Sequence, residues 1–286
     1  MQPLPDLIGS YQAKKVPFRR RLTMESLDAL PRGHTMLALL ELDVTDLLAL
    51  VQVERASGVQ ISLFAGIAGC VAQALAEHPE LNAMRVGQRI YQFEDVDLNI
   101  PVELRAGSEV APHLLIVRRA QHKSAGQIYR EIAQARHQAS TVPSVGREDR
   151  RVQLLMRLLL WVPRAVRSWV IRRLAGRGRA IKKLAGTTFL SSVEKSSSLR
   201  GFAVPYVAGP VATSFFVGSV VPKPMVHEGK VAVRTCLSLT IAFNHDVVDG
   251  SPAARFATRL SELIEHPALS VALAAPSREA RVQANG

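Results

Sequence analysis

The spacing of apolar residues changes from segment to segment, and the changes mark out elements. Leu63, Ile67, Val71 and Leu75 recur every four residues, which lays one apolar stripe along a helix predicted over 63–76. His78-Pro79 stops it, because the residue before a proline is driven out of the helical region. A second amphipathic helix is predicted over 124–137, and another carries Leu47, Leu48, Leu50 and Val51, with Thr45 or Asp46 as its cap. Shorter apolar runs predict strands over 34–44, 96–104, 187–192, 211–220 and 231–243, with a short buried strand over 113–117. Pro101 sets 96–104 near an edge or a bulge. His227-Glu228-Gly229-Lys230 turns one long run into the next as a hairpin. Ser251-Pro252 then opens a last helix, with serine as cap and proline at the first helical position, and Phe256, Leu260, Leu263 and Ile264 line one face.

The stretch 151–193 departs from this pattern: it holds no Asp or Glu and many Arg and Lys. An apolar run over 154–162 is broken by Arg157 and stopped by Pro163, too short to span a bilayer. Trp169, Val170, Ile171 and Leu174 follow among Arg164, Arg167, Arg172 and Arg173. A pair of amphipathic helices with cationic edges fits, and such helices either pack as a lid or lie on an anionic membrane surface.

Length and composition then narrow the class. The 286 residues, nearly half of them apolar, supply one sizeable core, without internal repeats or a long flexible linker. The first residues are expected to be extended, 14–21 to form a short basic arm, and the tail from about 277 to be disordered. No basic-then-apolar secretory pattern opens the chain, so a cytoplasmic protein is expected. The net charge of +12 suits an acidic substrate or an anionic membrane; no basic run is interleaved with aromatics, which counts against nucleic acid. Cys70 and Cys236 are too few and too scattered for a disulfide framework or a zinc site, and Cys70 belongs to an apolar helix as a buried thiol.

The candidate chemistry sits between the last strand and the last helix, in Phe243-Asn244-His245-Asp246-Val247-Val248-Asp249-Gly250. Imidazole takes and returns a proton at neutral pH, glycine permits a sharp turn and close backbone approach, and aspartate can pair with a cation. Taken alone, a single histidine at a strand end is more often structural than catalytic.

The segment resembles the His-x-x-x-Asp-Gly signature of the acyltransferase components of 2-oxo acid dehydrogenase complexes and of chloramphenicol acetyltransferase. Leu81-Asn82 in the stretch 76–83 is similar to that domain's "HPxLNA", the stretch 95–102 to its "VDIGIAV" strand, and the stretch 186–192 to its "GGTFTISN", all in the family's order. The resemblance implies an α/β fold, a two-layer sandwich of the chloramphenicol acetyltransferase-like type, with a mixed sheet packed by helices. It implies one catalytic domain over about 15–276, preceded by the arm at 1–14 and interrupted by a basic helical insertion at about 147–183.

It also implies a mechanism. His245 is the general base, Ser191 donates to the oxyanion, and Asp249 pairs with an arginine near the N-terminus, for which Arg19, Arg20 and Arg21 are the candidates. Gly250 and Asn244 support the site. No cofactor is tightly bound; a coenzyme A, lipoyl or carrier-linked thioester is the co-substrate, and a thiol, hydroxyl or amine accepts the acyl group. Homotrimers are implied, with His245 of one subunit facing Ser191 of the next. Asn244 and Asp246 stand where the complex-forming enzymes usually carry Asp and Arg, which points to a stand-alone acyltransferase. A condensation-type synthase, whose motif has two adjacent histidines, is disfavoured by Asn244. The alternative of another class is a non-catalytic oligomeric or membrane-associated module.

Overall fold

The computed structural model of the chain describes residues 12, 15–16, 18–30, 33–106, 109–141, 162–175, 178–193, 200–204 and 209–273. Its spine is the antiparallel hairpin of β7 (Thr213–His227) and β8 (Lys230–Asn244). The two residues between these strands, Glu228 and Gly229, have φ of 50° and 75°. Positive φ at both positions gives a tight loop whose twist matches that of the strands it joins.

Around this hairpin β1 (Thr35–Asp43) pairs antiparallel with β8, and β6 (Thr188–Ser192) pairs parallel with β7. Beyond β6 lie β4 (Leu98–Ala106) and β5 (Glu109–Val117), completing a mixed six-stranded sheet of order β1-β8-β7-β6-β4-β5. A separate two-stranded sheet, β2 (Ala83–Val86) and β3 (Arg89–Gln92), touches the main one through the bridge Met84–Val211. Helices α1 (Phe18–Ala29), α2 (Thr45–Ala56), α3 (Leu63–Glu77), α4 (Ala125–Thr141), α5 (Arg164–Ala175), α6 (Gly178–Ala185) and α7 (Gly250–Glu265), with short 3-10 turns at Ala120–His122 and Pro267–Leu269, complete the described elements.

Strand alternation decides which sheet face is the core. Ala38, Ile241, Phe215 and Leu190 are aligned by register and so share a face. That face packs with Ile67, Val71 and Leu75 of α3 and Phe256, Leu260 and Ile264 of α7 in one apolar cluster. Fully burying such side chains contributes about 1.5–3 kcal/mol each. Phe256 sits at the centre, its ring against Phe215, Phe243 and His78. The stripe read from 63–76 is therefore the core face of α3, and Cys70 within it is fully buried, with its thiol pushed up to about 12 by desolvation.

Several local expectations are corrected. The last helix begins at Gly250 with Asp249 as its cap residue, so Ser251 and Pro252 lie inside the first turn rather than at cap and first position. Helix α2 is preceded by Val44, which makes no side-chain cap; Asp43 instead accepts from the Thr45 amide and hydroxyl. The strand expected at 113–117 is longer and forms the sheet edge, with Leu114 exposed. The basic arm becomes helical at Phe18. Strand β4 is interior only at its start: β6 pairs with Leu98 and Asn99 alone, so Pro101 falls past the end of that ladder, where its missing N–H costs nothing. The apolar run at 154–161 and the tail beyond 277 lie outside the described residues.

Asp97 ties the basic insertion to the sheet. Its buried carboxylate accepts from Arg118 Nη1 at 2.8 Å and the Arg119 amide at 3.0 Å. Its backbone carbonyl accepts from the Thr187 amide at 2.8 Å, and its amide donates to Thr187 Oγ1 at 3.0 Å. Arg118 also donates to the Lys182 and Lys183 carbonyls, closing the open end of α6. Gly186, with φ of 70°, lets the chain pass: a Cβ there would stand 2.5 Å from the Asp97 carbonyl oxygen. Asp97→Ala leaves the Arg119 amide without its acceptor and Arg118 with only its two backbone acceptors, and urea unfolding should show a loss of about 3 kcal/mol, with Asp97→Asn losing less.

Candidate functional site

The last strand ends in a tight turn that carries His245. Asn244 organises it: its carbonyl accepts from the Val247 amide at 2.9 Å and the Val248 amide at 3.1 Å, and its Oδ1 accepts from the Asp246 amide at 3.0 Å. The neighbouring strand grips the same turn, because the His245 amide donates to the His34 carbonyl at 2.7 Å. Gly33 allows this approach; a Cβ there would fall 2.4 Å from Asn244 Oδ1.

The ring of His245 is set by the same turn. Nδ1 lies 3.1 Å from the Val248 carbonyl oxygen, which can only accept, so Nδ1 carries the proton. Nε2 then keeps its lone pair, and the side chain is 47% exposed. A neutral imidazole with one nitrogen anchored to backbone and the other open is oriented to act as a base. The Asp249 carboxylate is 3.7 Å from Nδ1 and 88% exposed, too far for a hydrogen bond.

Asp246 locks the turn from outside. Its carboxylate accepts from His34 Nδ1 at 2.8 Å and from Arg85 of β2 at 2.8 Å. The His34 hydrogen bond holds its carboxyl below the usual carboxylate range; partial desolvation opposes the shift and Arg85 reinforces it. Strand β2 is itself fixed, by the Ala212 amide donating to the Ala83 carbonyl and the Arg85 amide to the Pro210 carbonyl. Sequence reasoning missed His34, Arg85, Gly33 and the Val248 carbonyl. Only the pairing of Thr35 with Asn244 brings the first two residues before β1 beside the turn after β8, and no local pattern announces that register.

Ser191 lies elsewhere on the sheet. It is aligned with Phe216, which is aligned with Thr240, which is aligned with Leu39, so these side chains share the face opposite the core. Leu37 and Leu39 on that face are exposed, and Thr240 is buried with its hydroxyl free of any hydrogen bond. His245 stands five residues beyond Thr240 and two strands from Ser191. At about 3.3 Å per residue and about 4.8 Å per strand the two are roughly 19 Å apart. One reacting carbon cannot touch both in a single chain.

The supporting residues divide likewise. Asn244 holds the turn as described. Gly250 opens α7 without a left-handed φ, and an added Cβ there would meet nothing within 4 Å, so the single chain does not use the close approach expected of it. Arg20 and Arg21 project from α1 into solvent, and among the described residues no arginine pairs with Asp249. Arg19 belongs to the same helix, its side chain outside the described set. Among the described residues no group of three or more His, Cys, Asp or Glu is placed to hold a metal ion.

Comparison with known proteins bears on this arrangement. The family model "2-oxoacid dehydrogenases acyltransferase (catalytic domain)" matches residues 13–142 and 193–272, leaving unmatched the stretch between them, with the basic insertion and Ser191. The lipoamide acyltransferase component of the branched-chain alpha-keto acid dehydrogenase complex of Bacillus subtilis is 24% identical over 242 residues, 82% of this chain and 47% of that protein. Its counterpart from Pseudomonas aeruginosa is 35% identical over 103 residues, 34% of this chain and 24% of that protein. The chain thus spans under half the length of these curated relatives. Among solved structures, the cubic core of the pyruvate dehydrogenase multienzyme complex superposes with a TM-score of 0.64 at 20% identity, over 93% of this chain and 98% of that one. A probable dihydrolipoamide acetyltransferase from Listeria monocytogenes 4b F2365 gives 0.62 at 20% identity, over 90% and 95%. The mixed sheet packed with helices is therefore the fold of those catalytic cores.

The Asp246 lock has a defined pH dependence. Because its carboxyl is depressed in the folded state, the stabilisation is complete above the unfolded value of about 3.9 and is lost as pH falls through the lower folded value. Asp246→Asn should melt below the wild type at neutral pH, and the two melting temperatures should converge as the solution is made more acid than that range. A gap that persists in acid would show that the charge is not what holds the turn.

Proposed function

The chain belongs to the 2-oxoacid dehydrogenases acyltransferase (catalytic domain) family, and from that membership we propose that it moves an acyl group from a thioester to a nucleophilic acceptor, with His245 as general base. The observation that carries this reading is the anchored ring: Nδ1 donates to the Val248 carbonyl while Nε2 stays open on a half-exposed side chain.

The residues suggest the following steps. Nε2 of His245 takes the proton of an acceptor thiol, hydroxyl or amine as that group attacks the thioester carbonyl carbon. Electrons move onto the carbonyl oxygen, and a hydroxyl donor stabilises the tetrahedral oxyanion. The imidazolium keeps its Nδ1 hydrogen bond to Val248, which supports the positive charge. Collapse of the intermediate breaks the carbon–sulfur bond, and the imidazolium returns its proton to the departing thiolate. No acyl-enzyme is formed.

Ser191 is our oxyanion donor, supplied by a neighbouring copy. The roughly 19 Å between the two positions, from strand spacing, supports this division, as does the open sheet face that bears Ser191, Leu37 and Leu39. A head-to-tail contact that closes on itself gives a ring, and we propose three subunits. Asp249, exposed in one chain, would find its arginine in that assembly, with Arg19, Arg20 and Arg21 as candidates. The donors proposed are coenzyme A and lipoyl thioesters, the latter because the relatives named above are lipoamide acyltransferase components. A cytoplasmic location would supply both.

Mass spectrometry of the purified protein with a panel of acyl-coenzyme A and acyl-lipoamide donors tests the reading. His245→Ala should lower the transfer rate by about 10²–10⁴-fold, and Ser191→Ala by about 10²-fold, with melting temperatures little changed. Transfer by His245→Ala at the wild-type rate with a donor the native protein uses would remove the assignment. Turnover of none of the donors would favour a non-catalytic module.

A further inference from the structure

The basic insertion carries a surface that plays no part in the steps proposed above. Helix α5 is fastened to α1 by Arg167, whose guanidinium meets the Glu25 carboxylate in a two-pronged pair at 2.7 and 2.8 Å and caps Val162 with a further bond at 2.7 Å. Arg167 thereby turns one side of the helix inward. Val166, Trp169 and Val170, at helical spacing on another side, are 45, 63 and 41% exposed, and Arg172 and Arg173 beside them are exposed as well. Helix α6, which packs against α5, adds Leu184 at 64% exposure and the exposed Lys183. Apolar side chains rimmed by cations thus face outward from helices that are anchored on their inner side.

We propose that α5 and α6 form a docking surface for an anionic lipid bilayer, into whose interface Trp169, Val166, Val170 and Leu184 insert. Charge complementarity selects this occupant. From residue 151 to 193 the chain holds no acidic residue, and the Arg167–Glu25 pair lies on the inward side of α5, so the exposed Arg172, Arg173 and Lys183 leave the rim positive. An indole flanked by aliphatic groups and arginines matches the boundary between headgroups and acyl chains. The geometry demands that the helices lie flat: among the described residues no helix is long and apolar enough to cross a membrane, and twelve residues of α5 extend only about 18 Å. A nucleic acid would answer the charge but leave the aliphatic stripe without use. The stretch also falls between the two segments matched by the family model, so surfaces that the family shares do not account for it. The proposal is independent of acyl transfer.

Both tryptophans of the chain, Trp161 and Trp169, belong to this basic stretch, so indole fluorescence reports on it alone. The intact protein is mixed with vesicles of phosphatidylcholine, or of phosphatidylcholine with phosphatidylglycerol, and followed by co-sedimentation and emission wavelength. Binding should require the anionic lipid, shift the emission to the blue, and weaken with added salt over a Debye length of about 8 Å at physiological ionic strength. Arg172→Glu with Arg173→Glu should weaken it by at least about tenfold, since each cation at an anionic surface contributes roughly fivefold. Trp169→Ser should weaken it while leaving the sedimentation coefficient of the lipid-free protein unchanged. Absence of binding at low salt, equal binding to pure phosphatidylcholine, or duplex DNA binding without a blue shift on vesicles would overturn the proposal. So would a change of oligomeric state in Trp169→Ser, which would make the stripe a contact between subunits.

Discussion

The antiparallel pairing of β7 with β8 is the constraint on which the rest of the molecule depends. On its outer side β8 takes β1 antiparallel, which brings the end of β8 beside the start of β1, so that His34 can hold the amide of His245. On its other side β7 takes β6 in parallel and fixes Ser191 opposite Phe216. Strand period then assigns every neighbour: one face receives Phe215, Ile241 and Leu190 and buries them under α3 and α7, while the other receives Phe216, Thr240 and Ser191. A slip of one residue would exchange the two faces, and the buried apolar face is what forbids the slip.

From that register follows the division of the site. The strand end supplies the imidazole that we propose as base, its tautomer set by one carbonyl and its loop held by Asn244, His34 and the Asp246–Arg85 pair. The sheet interior supplies a hydroxyl that the same chain keeps roughly 19 Å away. Asp97 pairs with Arg118 and bonds Thr187 just before β6, so polar residues far from His245 hold the strand that carries Ser191. That separation is why we propose that a second copy of the chain completes the site.

Much of this was legible in the sequence, and the exceptions have physical causes. Helix α3, both long strands and the hairpin turn at Glu228-Gly229 were readable because period and turn chemistry are local. The motif at His245 was readable because a strand, a histidine and a helix start are contiguous. The cap of α7 was misplaced because serine and proline favour a start that the turn at Asp249 overrides. The hold of His34 and Arg85 on the loop was not readable at all, since Arg85 is separated from Asp246 by most of the chain and the two meet only through the β2 contact with residue 211. Gly33 looks like an ordinary loop glycine until Asn244 is placed against it.

If one active site draws residues from two copies of the chain, as we propose, mixing two inactive variants should restore it. His245→Ala and Ser191→Ala proteins are combined, dissociated, reassociated and assayed for acyl transfer. Activity should return to about a quarter of the wild-type rate, because on random closure of a ring one contact in four joins an intact His245 to an intact Ser191. Each variant taken alone through the same procedure should stay inactive. A mixture that demonstrably exchanges subunits and recovers no activity would show that no site is shared between copies, and would remove Ser191 as the partner of His245.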